Sequence, residues 1–480
     1  MITFTDLFCG AGGASTGLVH AGWKLILAMN HWWTAIETHM ANHPDAEHAC
    51  ENVSTYDLRR IPMTDVLWAS PICTEISPAG GRARAKRKRK LTVEQMRHLS
   101  EEEIRQLKEE LESIPDAAFE RTRVTAFDVI RAMELHDYKA VLVENVVEFA
   151  LDWKLFDLWL AMAARLGYNY QIVSVSSAHV GDDINLAAPQ WRDRLYIVFT
   201  KEGIRLPDVA PRPLAHCHEC DEDVYSVQEW RPEHAETRIG KYGLQYDYTC
   251  PNHDKPVNVE PYTRPAASII DWTNLGTRIG DRKRPLVPST MARIRKGLEL
   301  YPADPSLITL NHSGHDGRAF RADQAPLPTR ATKIGEGLLV PTSYYDRAVS
   351  RADLAAPPYV ITYRNHGGAA GVDRPLTGIN AKGNHHGLVI PYRKGCNPKP
   401  VEQPIHTMST RDSAGLLLTA ADVDDCYFRM IQWREQMSAQ RFPADYIVMG
   451  DTQEEKTMQA GNAVSCNVAQ WLGNALSAVL

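Results

Sequence analysis

The chain has 480 residues, 44% apolar and 23% charged, which suits a globular protein large enough for two or three cores. A net charge of -6 excludes attraction to a polyanion through the overall field, so any nucleic-acid contact has to come from a local basic face. No apolar run reaches the roughly 18 residues of a membrane helix, and "MITFTDLFCGAGG" lacks the pattern of a signal peptide. A cytoplasmic setting is therefore expected, in which the nine cysteines stay reduced and clusters of them point to metal or catalysis.

The first 205 residues alternate strands with helices. "ITFTDLF" reads as a strand ending in the glycine turn "CGAGGAS", followed by the helical "TGLVHAGW". "LILAMN" is a second strand and "WTAIETHMANH" a helix. "DVLWAS" is a third strand, and it ends at "SPICTEIS", residues 70 to 77. Then comes "GRARAKRKRK", with seven Arg or Lys in residues 81 to 90. Ile104, Leu107, Leu111 and Ile114 fall at helical spacing, so residues 92 to 114 read as an amphipathic helix. "AVLVENV" and "RLYIVFT" are further strands. The alternation predicts a doubly wound, mostly parallel α/β sheet. Ligands of such sheets bind beyond the carboxyl ends of the strands. The glycine turn, Cys73 and Glu144 all stand at such ends and should share one crevice.

From about 206 prolines become frequent and helical periodicity weakens. Residues 325–340, 374–389 and 403–418 repeat a pattern of Pro, a polar stretch, then Gly-Leu and an apolar residue, with Pro-to-Gly separations of 11, 12 and 11. A β-rich domain built on a duplicated strand element is expected over 206–424. Residues 425 to 480 return to helix and to the first domain.

Four motifs carry chemistry. "DLFCGAGGASTGL" suits close backbone approach to a nucleotide-like cofactor, although a glycine turn alone is also just a tight connection. Cys73 is either a small buried hydrophobe or a nucleophile. Glu144 ends the apolar strand Ala140 to Val143, where a carboxylate is costly to bury unless protonated or paired. In "PQWRDRLYIVF", Arg192 and Arg194 lie two apart on a strand, and both should project to one face.

Together and in this order, these motifs resemble the DNA (cytosine-5) methyltransferase family. The resemblance rests on the Phe8–Gly13 loop, Pro-x-Cys at Pro71–Cys73, Glu144-Asn145-Val146 and Gln190-x-Arg192-x-Arg194. It also rests on "REQMSAQRFPADY" (434 to 446) and Gly461-Asn462-Ala463-Val464. It covers roughly 1–200 and 425–480. It implies a class I S-adenosylmethionine-dependent methyltransferase fold, with Cys73 as nucleophile on cytosine C6. Glu144 would act at N3, and Arg192 and Arg194 would hold the base. It places the S-adenosyl-L-methionine site on Asp6, Phe8, Gly10, Gly12, Gly13, Asn30, Asn52, Pro71, Asn462 and Val464. Double-stranded DNA is the expected partner of a monomer, with the target base flipped out of the stack. Arg87, Lys88, Arg89, Lys90 and Gln190 are the expected DNA contacts, and 206–424 is the target-recognition domain. Three departures stand out. Ile72 separates Pro71 from Cys73, Asn30-His31 replaces the acid after the second strand, and Asn52 stands near the family's adenine-contacting aspartate. An RNA cytosine methyltransferase of the same fold and an inactive DNA-binding homologue are the rival readings.

Cys217-x-x-Cys220 and Cys250-x-x-His253 lie 29 residues apart, the ligand set and spacing of a structural zinc ribbon over about 215–255. His216, His218 and Asp221 are alternative ligands with poorer spacing, and one disulfide is the alternative to a metal.

Overall fold

The computed structural model describes residues 1–72, 117–288 and 423–480 without a break, and shorter pieces between 289 and 422. Cys73, the basic run 81–90 and the helix expected over 92–114 lie outside the described residues. By packing, the chain divides into one unit of Met1–Ile270, Ala325–Ile334 and Gln432–Leu480, and another of Asp271–Gln324 and Gly335–Ile431.

The first unit is built on seven strands: β1 Thr3–Leu7, β2 Lys24–Asn30, β3 Glu47–Cys50, β4 Val66–Ala69, β5 Ala140–Asn145, β6 Tyr168–Ser176 and β7 Asp193–Lys201. Their order is β3-β2-β1-β4-β5-β7-β6. The first five run parallel, and β7 is antiparallel to both β5 and β6. The expected doubly wound, mostly parallel sheet is present. Side chains alternate across it, as a strand period of two demands. Leu67, Ala69, Val141 and Val143 enter one buried cluster, and Val66, Trp68, Ala140 and Leu142 the other. Apolar residues on both faces make a strand buried on both sides, which is why β4 and β5 read as unbroken hydrophobic runs.

Helices cover both faces. They are α1 Gly13–His20, α2 Trp33–Asn42, α3 Ala117–His136, α4 Phe156–Arg165, α5 Trp433–Ala439, α6 Gln453–Asn462 and α7 Cys466–Ser477. The carboxyl-terminal helices complete the fold that the amino-terminal motifs begin. A Cβ on Gly13 would stand 2.0 Å from Val464 O, and one on Gly17 would stand 2.4 Å from Cys466 O. Thus α1 meets the start of α7 backbone to backbone, and no flexible side chain can yield. Gly13→Ala is expected to cost about 3 kcal/mol, the upper range for an overpacked core, measured as a lowered urea midpoint at unchanged slope.

Beyond residue 205 the first unit continues through β8 Leu214–Cys217, β9 Glu222–Tyr225, β10 Val227–Trp230, β11 Tyr246–Thr249 and β12 Asn258–Val259. The sequence sets its boundary near 205, but packing carries this unit on to Ile270. The reason is a set of bonds back to the first 205 residues. Gln228 Nε2 donates to Ser174 O at 2.9 Å, and Lys241 Nζ pairs with the buried Glu148 at 2.6 Å. Trp191 stacks on Tyr242 with ring planes 11° apart.

The second unit is β-rich, as expected. Its largest sheet has the order β13-β22-β16-β14-β15, from Thr277–Arg278, Tyr427–Met430, Glu336–Val340, Ser306–Thr309 and Ala319–Arg321. Ile279, Ile294, Leu339, Cys426 and Phe428 form its core. A hairpin, β17 Tyr359–Ile361 with β18 Ala369–Gly371, and a three-stranded sheet, β20 Lys399–Pro400, β19 Leu388–Pro391 and β21 Ala414–Leu417, account for the remaining strands described. The Gly-Leu ends of the three sequence repeats lie in or border strands β16, β19 and β21, while the polar middles of the repeats lie almost entirely outside the described residues.

Candidate active site and metal centre

Strand order reverses direction at β1. The chain winds outward through β2 and β3 on one side, and through β4 and β5 on the other. The crevice past the carboxyl ends of β1 and β4 is the switch point at which such sheets bind ligands. The glycine turn occupies it. Phe8 takes φ 63°, and Gly10 and Gly12 take φ 52° and 89°. Left-handed backbone at Phe8 is a strain that non-glycine residues rarely carry away from functional sites. Nothing lies within 4 Å of a Cβ built on Gly10, so the turn faces open space. On its inner side, a Cβ on Gly12 would stand 2.6 Å from the Tyr446 hydroxyl. That hydroxyl donates to Ala11 O at 2.5 Å.

Beneath the turn sits Asp6, fully buried. Its Oδ2 accepts from Ser15 Oγ at 2.6 Å, and its Oδ1 is buried with no hydrogen bond. Burial pushes its pKa up to about 7, against the lowering effect of Ser15. This turn, with an orphaned carboxylate oxygen below it and open space in front, fits a cofactor that brings its own donors or positive charge.

The residues leading toward Cys73 are held firmly. Ser70 N donates to Leu7 O at 3.2 Å, and Asn145 Nδ2 donates to Pro71 O at 3.1 Å. Ile72 N donates to Thr125 Oγ1 at 3.2 Å. Neighbouring Glu144 is 8% exposed and pairs with Arg194 Nε at 3.1 Å. A carboxylate at the end of an apolar strand therefore has the partner its burial demands.

Arg192 and Arg194 reach toward different groups. Arg192 precedes β7, and its Nη2 donates to Gly461 O at 3.3 Å and Ala463 O at 2.7 Å. There it meets the carbonyls left open where α6 ends, a favourable place for a cation. Gln190 is fully buried, and its carbonyl accepts from Ser177 Oγ. Val464 is buried behind the glycine turn, whereas Asn462 is exposed. Asn30 and Asn52 turn their amides back onto their own loops. Asn30 Oδ1 accepts from Trp32 N at 2.9 Å, and Asn52 Oδ1 accepts from Ser54 N at 3.0 Å.

Ser15, His39, Tyr446, Thr125 and Asn145 escape the sequence reading, although each one positions the crevice. Ser15, Asn145 and Tyr446 stand inside quoted motifs and could have been flagged, Ser15 with its partner Asp6 in the same motif. His39 and Thr125 gain their roles only through partners distant in the chain.

Cys217, Cys220, Cys250 and His253 converge, with their ligand atoms all within 4.8 Å of one another. The closest pairs are Cys217 Sγ to His253 Nε2 at 3.3 Å and Cys220 Sγ to Cys250 Sγ at 3.8 Å, and all three thiols are free. The first two cysteines bracket the β8–β9 turn, where Asp221 takes φ 56°. The backbone N–H of Cys220 faces the Cys217 sulfur and holds that thiol below its usual range, while burial raises the Cys220 thiol. Three sulfurs and an imidazole at this spacing fit a tetrahedral zinc. His216 instead pairs with Asp223 at 3.1 Å and Asp221 at 3.5 Å.

A seven-stranded sheet with a lone antiparallel strand at this position, and a glycine turn at its switch point, is the arrangement of the class I methyltransferase fold. Within that class the chain belongs to the C-5 cytosine-specific DNA methylase family, whose model matches residues 2–104. The chain is similar to Type II methyltransferase M.AgeI of Thalassovita gelatinovora. The two are 27% identical over 217 residues, and the match spans 43% of this chain and only 41% of that protein. It is 30% identical to M.HgiGI of Herpetosiphon aurantiacus over 98 residues, which make up 18% of this chain and 73% of that protein. A Spodoptera frugiperda DNMT2 crystal structure aligns over 99% of this chain and 100% of that one, at 13% identity and a TM-score of 0.47. Among the described residues, no helix is long and apolar enough to cross a membrane.

Proposed function

We propose that the protein methylates cytosine at C5 in double-stranded DNA, with S-adenosyl-L-methionine as methyl donor. One observation carries most of this reading. Glu144, paired with Arg194 of the neighbouring β7, stands beside Asn145 on β5, and Asn145 anchors Pro71, two residues ahead of Cys73 in the chain. When bound, the cofactor supplies a methyl group on a positively charged sulfur. The chain supplies the rest. The Cys73 thiolate adds to C6, which makes C5 nucleophilic enough to take the methyl group. Loss of the C5 proton then expels the thiolate and restores the ring. Glu144, oriented by Arg194, acts as general acid at N3: it delivers a proton there as the thiolate adds, so that no negative charge stays on the ring, and takes it back when the thiolate leaves. Asp6 and the turn from Phe8 through Gly10, Gly12 and Gly13 hold the cofactor, with Val464 behind them. The base must leave the duplex stack to be reached.

Arg192 acts at one remove, fixing the end of α6. The Cys217, Cys220, Cys250 and His253 set binds one zinc ion and keeps its module folded. The 206–424 region reads the target sequence. Side-by-side methyl transfer to duplex DNA and to transfer RNA tests the substrate. Duplex DNA should be preferred, and exclusive transfer to RNA would favour the rival reading.

The basic run has a separate test. Alanine at Arg87, Lys88, Arg89 and Lys90 should weaken binding to all DNA sequences alike. The salt dependence of log K should become shallower by about 0.9 for each phosphate that the variant no longer neutralises. Identical slopes and affinities in the wild type and the fourfold variant would make the run a solvated tether.

A further inference from the structure

Asp6 is the inner end of a string of hydrogen bonds that runs outward through three elements. Ser15 Oγ donates to Asp6 Oδ2 at 2.6 Å, His39 Nε2 lies 3.0 Å from Ser15 Oγ, and His39 Nδ1 lies 2.8 Å from His48 Nε2. Asp6, Ser15 and His39 are fully buried. His48 is half-buried on the edge strand β3 and lines a surface pocket of about 430 Å³ beside Trp33, Met40 and Cys50. The string therefore reaches solvent at one end only.

The donors fix its polarity. With Asp6 ionised, the Ser15 proton lies on the carboxylate. Ser15 Oγ must then accept from His39 Nε2–H, and His39 Nδ1 from His48 Nε2–H. With Asp6 protonated, an O–H on Oδ1 would have no acceptor, because that atom is buried and unpartnered. The proton belongs on Oδ2, donating to Ser15, and every bond reverses. His39 then carries its proton on Nδ1. Passing from the protonated to the ionised state moves one proton at each link and takes one from the half-buried His48 ring, which also bonds to the Ala46 backbone, so the string loses a single proton overall.

We propose that His39 is a positioning residue for the cofactor site: its imidazole relays the Asp6 proton to solvent through His48, and so leaves an ionised carboxylate under the glycine turn when a cationic cofactor binds. This rests on the methyltransferase reading and names the part of the chain that would favour a sulfonium over its neutral product. Burial lets Asp6 exchange its proton near neutrality, at about 7. The titratable groups facing it are Cys9 on the turn and Tyr446 from the carboxyl-terminal segment, both raised by burial and therefore neutral. His39 and His43 are lowered by burial and stay uncharged over the same range. Among the described residues no lysine or arginine forms an ion pair with Asp6, so Asp6 supplies the charge.

Two measurements test this. Nitrogen-15 NMR of the cofactor-free full chain should show the His39 proton moving from Nδ1 to Nε2 as pH rises through about 7, while the ring stays neutral. Calorimetry at about pH 7.5 should show His39→Leu binding S-adenosylmethionine about tenfold more weakly than wild type. S-adenosylhomocysteine affinity should stay nearly unchanged. A single His39 tautomer throughout, or equal S-adenosylmethionine affinity in wild type and His39→Leu, overturns the proposal. Wild type that binds neither compound overturns the methyltransferase reading and the proposal together, whereas binding with a fixed tautomer overturns the proposal alone.

Discussion

Cys73→Ser is expected to lower methyl transfer at least a thousandfold, about 4 kcal/mol of barrier at about 1.36 kcal/mol per factor of ten, while DNA binding survives. A serine hydroxyl is hardly ionised at neutral pH, whereas a cysteine thiol near arginine is readily deprotonated. Binding should survive because the basic run and the region beyond 206 do not depend on the thiol. The sharpest check is mechanism-based capture. Wild type incubated with 5-fluorocytosine duplex DNA and S-adenosylmethionine should form an adduct stable to denaturing gels, because fluorine cannot leave C5 as a proton does. Cys73→Ser should form none. Turnover by the variant at the wild-type rate would remove Cys73 from the chemistry.

Cys217→Ala is expected to abolish zinc binding and unfold the module formed by β8 to β12. That module has a small core of Ala215, Cys217, Val224, Tyr246, Tyr248, Cys250 and Val259. A core of this size gives little stability by itself, whereas structural zinc sites contribute about 10–16 kcal/mol of apparent binding free energy at neutral pH. Freshly purified wild type should hold one zinc per chain, and Cys217→Ala should hold none. Cys426→Ala is the control. It also removes a fully buried thiol, but one in the other unit, so zinc content should not change. Wild-type protein without zinc would leave the four residues as a reduced cluster with no metal role.

Much of the fold is legible in the sequence because the central strands are buried on both faces. β4 is an unbroken apolar run, β2 and β5 hold the apolar runs Leu25 to Met29 and Ala140 to Val143, and β1 is marked by the glycine turn that follows it. The two strands that escaped the reading, β3 and β6, are the edges of the sheet. "EHAC" has no apolar run, and "YNYQIVSVS" mixes polar residues into its pattern because one side is only partly covered. The Cys/His set was legible from spacing alone, since a four-residue turn dictates which ligands can meet. The separate partners of Arg192 and Arg194 were not. Their spacing suggests a shared face, but β7 begins at Asp193, and the carbonyls that hold Arg192 lie some 270 residues further along the chain. The Asp6 to His48 string was hidden for the same reason. It joins a strand end, two helices and an edge strand, and none of these segments advertises the others.

Conversion-based cytosine sequencing of DNA from cells expressing the protein tests the central claim most directly, because it reads activity, ring position and sequence context at once. Cells carrying the wild-type chain should show protected cytosines in one recurring sequence context, absent from cells carrying Cys73→Ser. A pattern of protection identical in the two strains, with the wild-type protein folded and abundant, would contradict cytosine-5 methyl transfer by this chain.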